Sequence, residues 1–133
     1  MVQNVMKILV VDDEEYICEI LQEFLSLKGY QVDTAANGED ALKKYEADRP
    51  DVVLLDIRMP GMGGVDILRR IKEIDSRAGI IMLSAFGDAE TVNEVLQMGA
   101  DYYLQKPVEF DRLMEILTSL QESSDTGDSD DRA

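Results

Sequence analysis

Five side chains in four separated stretches carry chemistry that their neighbours lack: the pair Asp12-Asp13, then Asp56, Ser84 and Lys106. Three carboxylates gathered in one place repel each other unless positive charge sits among them. Lys106 can neutralise one of them and a hard divalent cation two more. Mg²⁺ favours oxygen ligands, keeps several of its waters and suits a site of few carboxylates plus a phosphate. A carboxylate can also accept a phosphoryl group, forming an aspartyl phosphate. Such a transfer needs in-line positioning and neutralisation of the equatorial oxygens. The metal, the Lys106 ammonium and the Ser84 hydroxyl could supply both. Each residue alone has a plainer reading: an Asp-Asp pair is commonly a turn or helix cap, Asp56 a loop cap, Ser84 a turn residue, and Lys106-Pro107 a strand exit. The set means more than its members only if the fold brings all of them to one place.

Each of these residues follows a strand-like run. Ile8-Leu9-Val10-Val11 leads into Asp12, Val52-Val53-Leu54-Leu55 into Asp56, and Ile80-Ile81-Met82-Leu83 into Ser84. Continuous apolar runs rich in β-branched residues predict central strands of a parallel sheet covered on both faces. Residues 30–34 alternate, and 101–105, which lead into Lys106, have polar ends; both suit edge strands. Helical spacing fills the intervals. Ile17, Ile20, Leu21, Phe24 and Leu25 mark 14–28; Ala41, Leu42 and Tyr45 mark 38–47; Ile67, Leu68, Ile71 and Ile74 mark 64–74. Val92, Val95 and Leu96 mark 89–98, with Asp88 as N-cap; Phe110, Leu113, Met114, Leu117 and Leu120 mark 110–121. Gly29 and Gly99 are stop signals. Alternating strands and helices with right-handed crossovers predict an α/β, flavodoxin-like, doubly wound five-stranded parallel sheet in the order 2-1-3-4-5 with five helices. Ligands bind such sheets at the carboxyl ends of the strands where the order reverses. The acids, the hydroxyl and the ammonium all fall there.

Composition limits the chemistry further. The chain has 133 residues, 45% of them hydrophobic, which suits one domain. Its formal net charge of −15 repels nucleic acid and anionic membrane, so neither is expected as a direct partner. There is no histidine. That excludes Ser-His-Asp and Cys-His catalysis and imidazole-based zinc sites; any phosphohistidine must come from another molecule. The one cysteine, Cys18, sits among apolar helix positions and reads as a core residue. No apolar run approaches the roughly 20 residues needed to span a bilayer. The opening MVQNVMK lacks the layout of a signal peptide. A cytoplasmic location is the expectation. Residues 1–121 are expected to form the domain. Residues 122–133, apolar only at Ala133, are expected to be a disordered acidic tail or the stub of a linker.

The segments ILVVDDE, VVLLDIRMPGMGG, IIMLSAFG and YYLQKPVEFDRL, in this order and spacing, resemble the receiver domain of two-component response regulators. The resemblance runs from residue 6 to about 121. It implies that Asp56 is phosphorylated by a sensor histidine kinase or histidine phosphotransferase. It implies Mg²⁺ (with Mn²⁺ as a substitute) held by Asp13 and Asp56, by Asp12 mainly through water, and by the backbone carbonyl of Arg58. Ser84 would bond a phosphoryl oxygen. Lys106 would pair with Asp56 or the phosphoryl group, and its bond to Pro107 would be cis. Tyr103 would move between outward and inward positions as Ser84 shifts. The last two helices and the fifth strand would then signal to a downstream protein or to an output domain. Arg58 and Phe86, two residues after Asp56 and Ser84, would tune dephosphorylation. Neither orients a water as a carboxylate or amide would, so slow spontaneous loss is expected. Such a domain is a switch that catalyses only its own phosphorylation and slow dephosphorylation, not an enzyme. Two alternatives stand beside it. A phosphatase of the haloacid dehalogenase type also uses an Asp nucleophile and Mg²⁺, but with a DxD pattern after the first strand, where this chain has Asp12-Asp13-Glu14-Glu15. A phosphorylation-independent interaction module would have no need of the intact acid cluster and Lys106.

Overall fold

The computed structural model describes residues 5–85 and 89–127, with side chains to residue 122. Five strands, β1 (Lys7–Val11), β2 (Gln31–Ala35), β3 (Val52–Asp56), β4 (Gly79–Ser84) and β5 (Tyr102–Gln105), form one parallel sheet in the order β2-β1-β3-β4-β5. Five helices connect and follow them: α1 (Glu15–Leu27), α2 (Gly38–Asp48), α3 (Gly64–Ile74), α4 (Ala89–Gln97) and α5 (Phe110–Gly127). The predicted fold and strand order are those observed.

Side-chain alternation explains why the sheet is covered on both sides. Leu9, Val11, Val53, Leu55, Ile80 and Met82 point to one face, where Ala41 and Tyr45 of α2, Ile67, Leu68 and Ile71 of α3, and Val92 and Val95 of α4 cover them. Ile8, Val10, Val52, Leu54, Ile81, Leu83 and Leu104 point to the other, under Cys18, Leu21 and Leu25 of α1 and Leu113, Ile116 and Leu117 of α5. Phe24 and Phe110 stack with ring centroids 4.1 Å apart and tie α1 to α5. A one-residue slip of any central strand would exchange these two apolar sets, so the register is firmly held.

Element boundaries agree with the sequence reading to within a few residues, with one larger difference. α5 continues to Gly127, past the expected end at 121, so 122–127 are helical where a disordered tail is expected. Once a helix is nucleated, each added residue costs little and gains a backbone bond, so polar residues can prolong it. Residues 128–133, and Asp88, expected as the N-cap of α4, lie outside the described residues. Among the described residues no helix is long and apolar enough to cross a membrane.

Gly64 joins α3 to the end of β3. Its amide donates to the Ile57 carbonyl at 2.9 Å, and a Cβ there would press on the Asp56 carbonyl oxygen and lie 2.8 Å from Ile57 Cα. These are main-chain atoms that cannot rotate away. Gly64→Ala is therefore expected to destabilise the fold by about 1–3 kcal/mol through overpacking. A lower urea midpoint at unchanged slope would record it.

Candidate acidic metal centre

The strand register sets the site. Val11 lies opposite Leu55, Asp56 opposite Leu83, and Ser84 opposite Gln105. Asp12, Asp56, Ser84 and Lys106 thus leave four adjacent strands at nearly the same level, with neighbouring strands about 4.8 Å apart. Backbone bonds carry the ladder past the strand ends: Asp12 N donates to Ala35 O at 3.1 Å, Ile57 N to Leu83 O at 2.9 Å, and Lys106 N to Ser84 O at 2.7 Å. The site residues are held by the sheet more than by loops.

Asp12 is fully buried, Asp56 is 5% exposed and Ser84 3%, whereas Asp13 is exposed. One carboxylate oxygen from each of Asp12, Asp13 and Asp56 falls within 4.8 Å of the others. Lys106 Nζ lies 2.9 Å from Asp12 Oδ2, 3.3 Å from Asp56 Oδ2 and 3.5 Å from Glu14 Oε1. One ammonium thus serves three acids. Glu14 was not singled out by the sequence reading. It follows the acid pair directly, which is a weak signal, and only the folded chain brings it to Lys106.

The charges are not fully balanced. Burial, then the neighbouring Asp12 charge, push the Asp56 carboxyl up to about 6; Lys106 and the Arg58 amide, which donates to Asp56 Oδ1 at 3.2 Å, pull against that rise. Burial alone would lower the Lys106 ammonium, but contact with Asp12 and the charges of Asp12 and Asp56 outweigh it and raise its pKa. Asp12 Oδ1 accepts from the Glu14 amide at 2.9 Å. Asp12 Oδ2 is close enough to Lys106 for an ion pair yet has no well-aligned hydrogen bond. A buried oxygen of that kind has capacity left for a ligand. It points to the same fit as the donor set: hard oxygens, an excess of negative charge and one exposed side open to water, which suits Mg²⁺. Cys18 donates its thiol to the Asp12 carbonyl at 3.3 Å, and burial, aided by the Asp12 charge, pushes that thiol up to about 11. It is an inert core residue under the site.

The remaining residues of the sequence reading are placed as follows. Ser84 Oγ is 3.5 Å from the Leu104 carbonyl, a long contact that leaves the hydroxyl only weakly engaged. The Lys106–Pro107 peptide is cis. Arg58 is exposed, with its amide turned to Asp56. Tyr103 is 48% exposed and points outward from β5. Phe86 lies outside the described residues.

Residues 8–118 match the sequence profile described as the response regulator receiver domain. The chain is similar to sporulation initiation phosphotransferase F of Bacillus subtilis, with 41% identity over 107 residues, covering 80% of this chain and 86% of that protein. It is similar to the chemotaxis protein CheY of Bacillus subtilis, with 39% identity over 112 residues, covering 84% and 93%. Among solved structures, it resembles a response regulator receiver domain protein from Clostridium thermocellum with a TM-score of 0.87 and 32% identity, over 91% of this chain and 98% of that one.

Because Lys106 is the cation shared by two buried carboxylates, its removal leaves them facing each other. Lys106→Met is expected to lower stability at neutral pH by roughly 2–4 kcal/mol. Chemical denaturation of the metal-free protein measures it.

Proposed function

The chain belongs to the response regulator receiver family, and from that premise we propose that it is a phosphorylation switch whose acceptor is Asp56, operating with Mg²⁺. The observation that carries this reading is the cluster itself: the Asp12, Asp13 and Asp56 oxygens within 4.8 Å, Lys106 on Asp56 at 3.3 Å, and Ser84 leaving the adjacent strand at the same level. The family's donor is a phosphohistidine of a sensor kinase or a histidine phosphotransferase, and since this chain has no histidine it lies on another molecule. An Asp56 carboxylate oxygen forms the new O–P bond as the P–N bond breaks, and the electron pair leaves with the imidazole nitrogen. Mg²⁺, held by Asp13, Asp56 and the Arg58 carbonyl, with Asp12 reaching it through water, would neutralise phosphoryl oxygens during the transfer.

Phosphorylation exchanges one carboxylate charge for a larger one with three acceptor oxygens. The Ser84 hydroxyl, weakly held by Leu104, is free to turn to one of them, and Lys106 can exchange its contact with Asp12 and Glu14 for another. Both residues sit on the β4–β5 side of the sheet, so closing them on the phosphoryl group moves β5, α4 and the outward Tyr103. The shift is limited by how much better the phosphoryl group binds one state than the other, a few kcal/mol in typical switches. An open groove lined by Tyr103, Lys106, Pro107, Glu109 and Arg112 adjoins the site. It belongs to the face that would meet a downstream protein or output domain. Arg58 has no side-chain acceptor to orient an attacking water as a carboxylate or amide would, which favours a long-lived phosphoryl state.

Acetyl phosphate with Mg²⁺ is expected to label the chain once per molecule, with label absent from Asp56→Asn; an unlabelled native chain would leave only an interaction role, and multiple turnover of a phosphate ester would instead indicate a phosphatase. Saturating Mg²⁺, at about 100 times its dissociation constant, is expected to stabilise the fold by about 2.7 kcal/mol, with most of that gain missing in Asp13→Asn. Thermal unfolding with and without chelator checks it.

A further inference from the structure

Gly38, the first residue of α2, is buried against Met62 in the loop between β3 and α3. A Cβ at Gly38 would lie 2.7 Å from Met62 Sδ, 3.0 Å from its Cγ and 2.9 Å from its Cβ. Rotation could carry the sulfur away. No rotation moves Met62 Cβ, which is bonded to the main chain, so a larger residue at position 38 must displace the loop or the helix. The helix is the firmer of the two. Asn37 Oδ1 accepts from the Asp40 amide at 2.8 Å to fix its start, and Ala41 and Tyr45 anchor it in the core. The loop is held by Ile57 N on Leu83 O and Gly64 N on Ile57 O, and by Ile57 and Met59, which are buried in the same core that Met62 packs against. A push at Met62 is therefore passed along the loop to Met59 and its neighbour Arg58. The Arg58 amide reaches Asp56 Oδ1 at 3.2 Å, the long end of the ordinary range, so a displaced loop stretches and weakens it.

We propose that Gly38 is a positioning residue for the site: by admitting Met62 against the start of α2, it sets the loop so that the Arg58 main chain faces Asp56. This rests on the reading of Asp56 as phosphoacceptor, and predicts that the exit of the edge strand β2 influences chemistry at β3.

The test compares the full chain with Gly38→Ala, Met62→Gly and the double variant. Amide NMR reads the Arg58 resonance and its Mg²⁺ titration, and acetyl phosphate labelling reads the transfer rate. Gly38→Ala is expected to move the Arg58 amide, weaken Mg²⁺ binding and slow labelling roughly tenfold in folded protein, as small misplacements in catalytic sites do. The double variant is expected to return to the values of Met62→Gly alone, because the clashing side chain has gone. Native Mg²⁺ affinity with an unmoved Arg58 amide in Gly38→Ala would overturn the proposal, and so would a loss that Met62→Gly does not relieve. Should Gly38→Ala fail to fold, the double variant still decides: agreement with Met62→Gly supports the proposal and a further deficit refutes it. If acetyl phosphate labels no variant, the native chain included, the phosphoacceptor reading fails by itself, while the amide position and Mg²⁺ titration still judge Gly38.

Discussion

Two buried carboxylates share one ammonium at the end of the sheet, and much of the molecule is arranged around that imbalance. Asp12 and Asp56 lie on adjacent strands with Lys106 Nζ within 3.3 Å of both. Burial and mutual repulsion raise Asp56 well above an ordinary aspartate. A site of this kind lowers the stability of the folded chain and has to be offset elsewhere. The offset is the central part of the sheet: Val10, Val53, Leu54, Leu55, Ile80, Ile81, Met82 and Leu83 are almost wholly excluded from water. Each such side chain contributes about 1.5–3 kcal/mol of transfer free energy. A charge-rich site at the strand ends beside an apolar centre is the usual distribution in functional folds.

The same apolar rows supply the precision. Asp12 continues the row of Ile8 and Val10, and Asp56 that of Val52 and Leu54, so the packing of α1 and α5 on that face fixes where the two carboxylates emerge. The backbone ladder then persists one residue beyond the assigned strands at Asp12, Ile57 and Lys106. Loops contribute where sheets cannot: the Arg58 amide reaches back to Asp56, and Glu14 folds back so that its own amide meets Asp12.

Much of this was legible in the sequence because it depends on periodicity. Three four-residue apolar runs located the central strands, their order followed from crossover rules, and the polar residue after each run named the site. What stayed hidden depends on contacts between distant residues or on small conformational choices. Asp12 and Asp13 are adjacent and identical in type, yet one is fully buried and the other exposed, a difference that shows once the register of β1 puts Asp12 in the row of Ile8 and Val10. Arg49 ends α2 at φ 47°, a left-handed conformation that no glycine or asparagine announces. The Gly38–Met62 contact joins the first residue of α2 to the β3–α3 loop, and each glycine-bearing segment reads alone as an ordinary turn. The helical residues after 121 are polar throughout, so no apolar period marked them.

In the proposed switch, the position of Lys106 directly after β5 would give the site its means of reporting outward. A cation on β1 or β3 would be locked between paired neighbours on both sides. β5 pairs only with β4, through Ile81–Tyr102 to Ser84–Gln105, and its other edge is unpaired among the described residues. Moving Lys106 therefore disturbs one ladder instead of two. The short strand alternates a buried Leu104 with exposed Tyr103 and Gln105, so a shift that keeps Leu104 in the core still changes what Tyr103 presents to solvent. Ser84 lies on the single strand that β5 does pair with, and the ladder bond from Lys106 N to Ser84 O at 2.7 Å joins the two residues that the proposed switch would close on a phosphoryl group. Under the proposed switch, the charge imbalance at the end of the sheet would couple to the edge strand that has one paired neighbour, and a phosphoryl group at Asp56 would act on that edge through the residues that neutralise it.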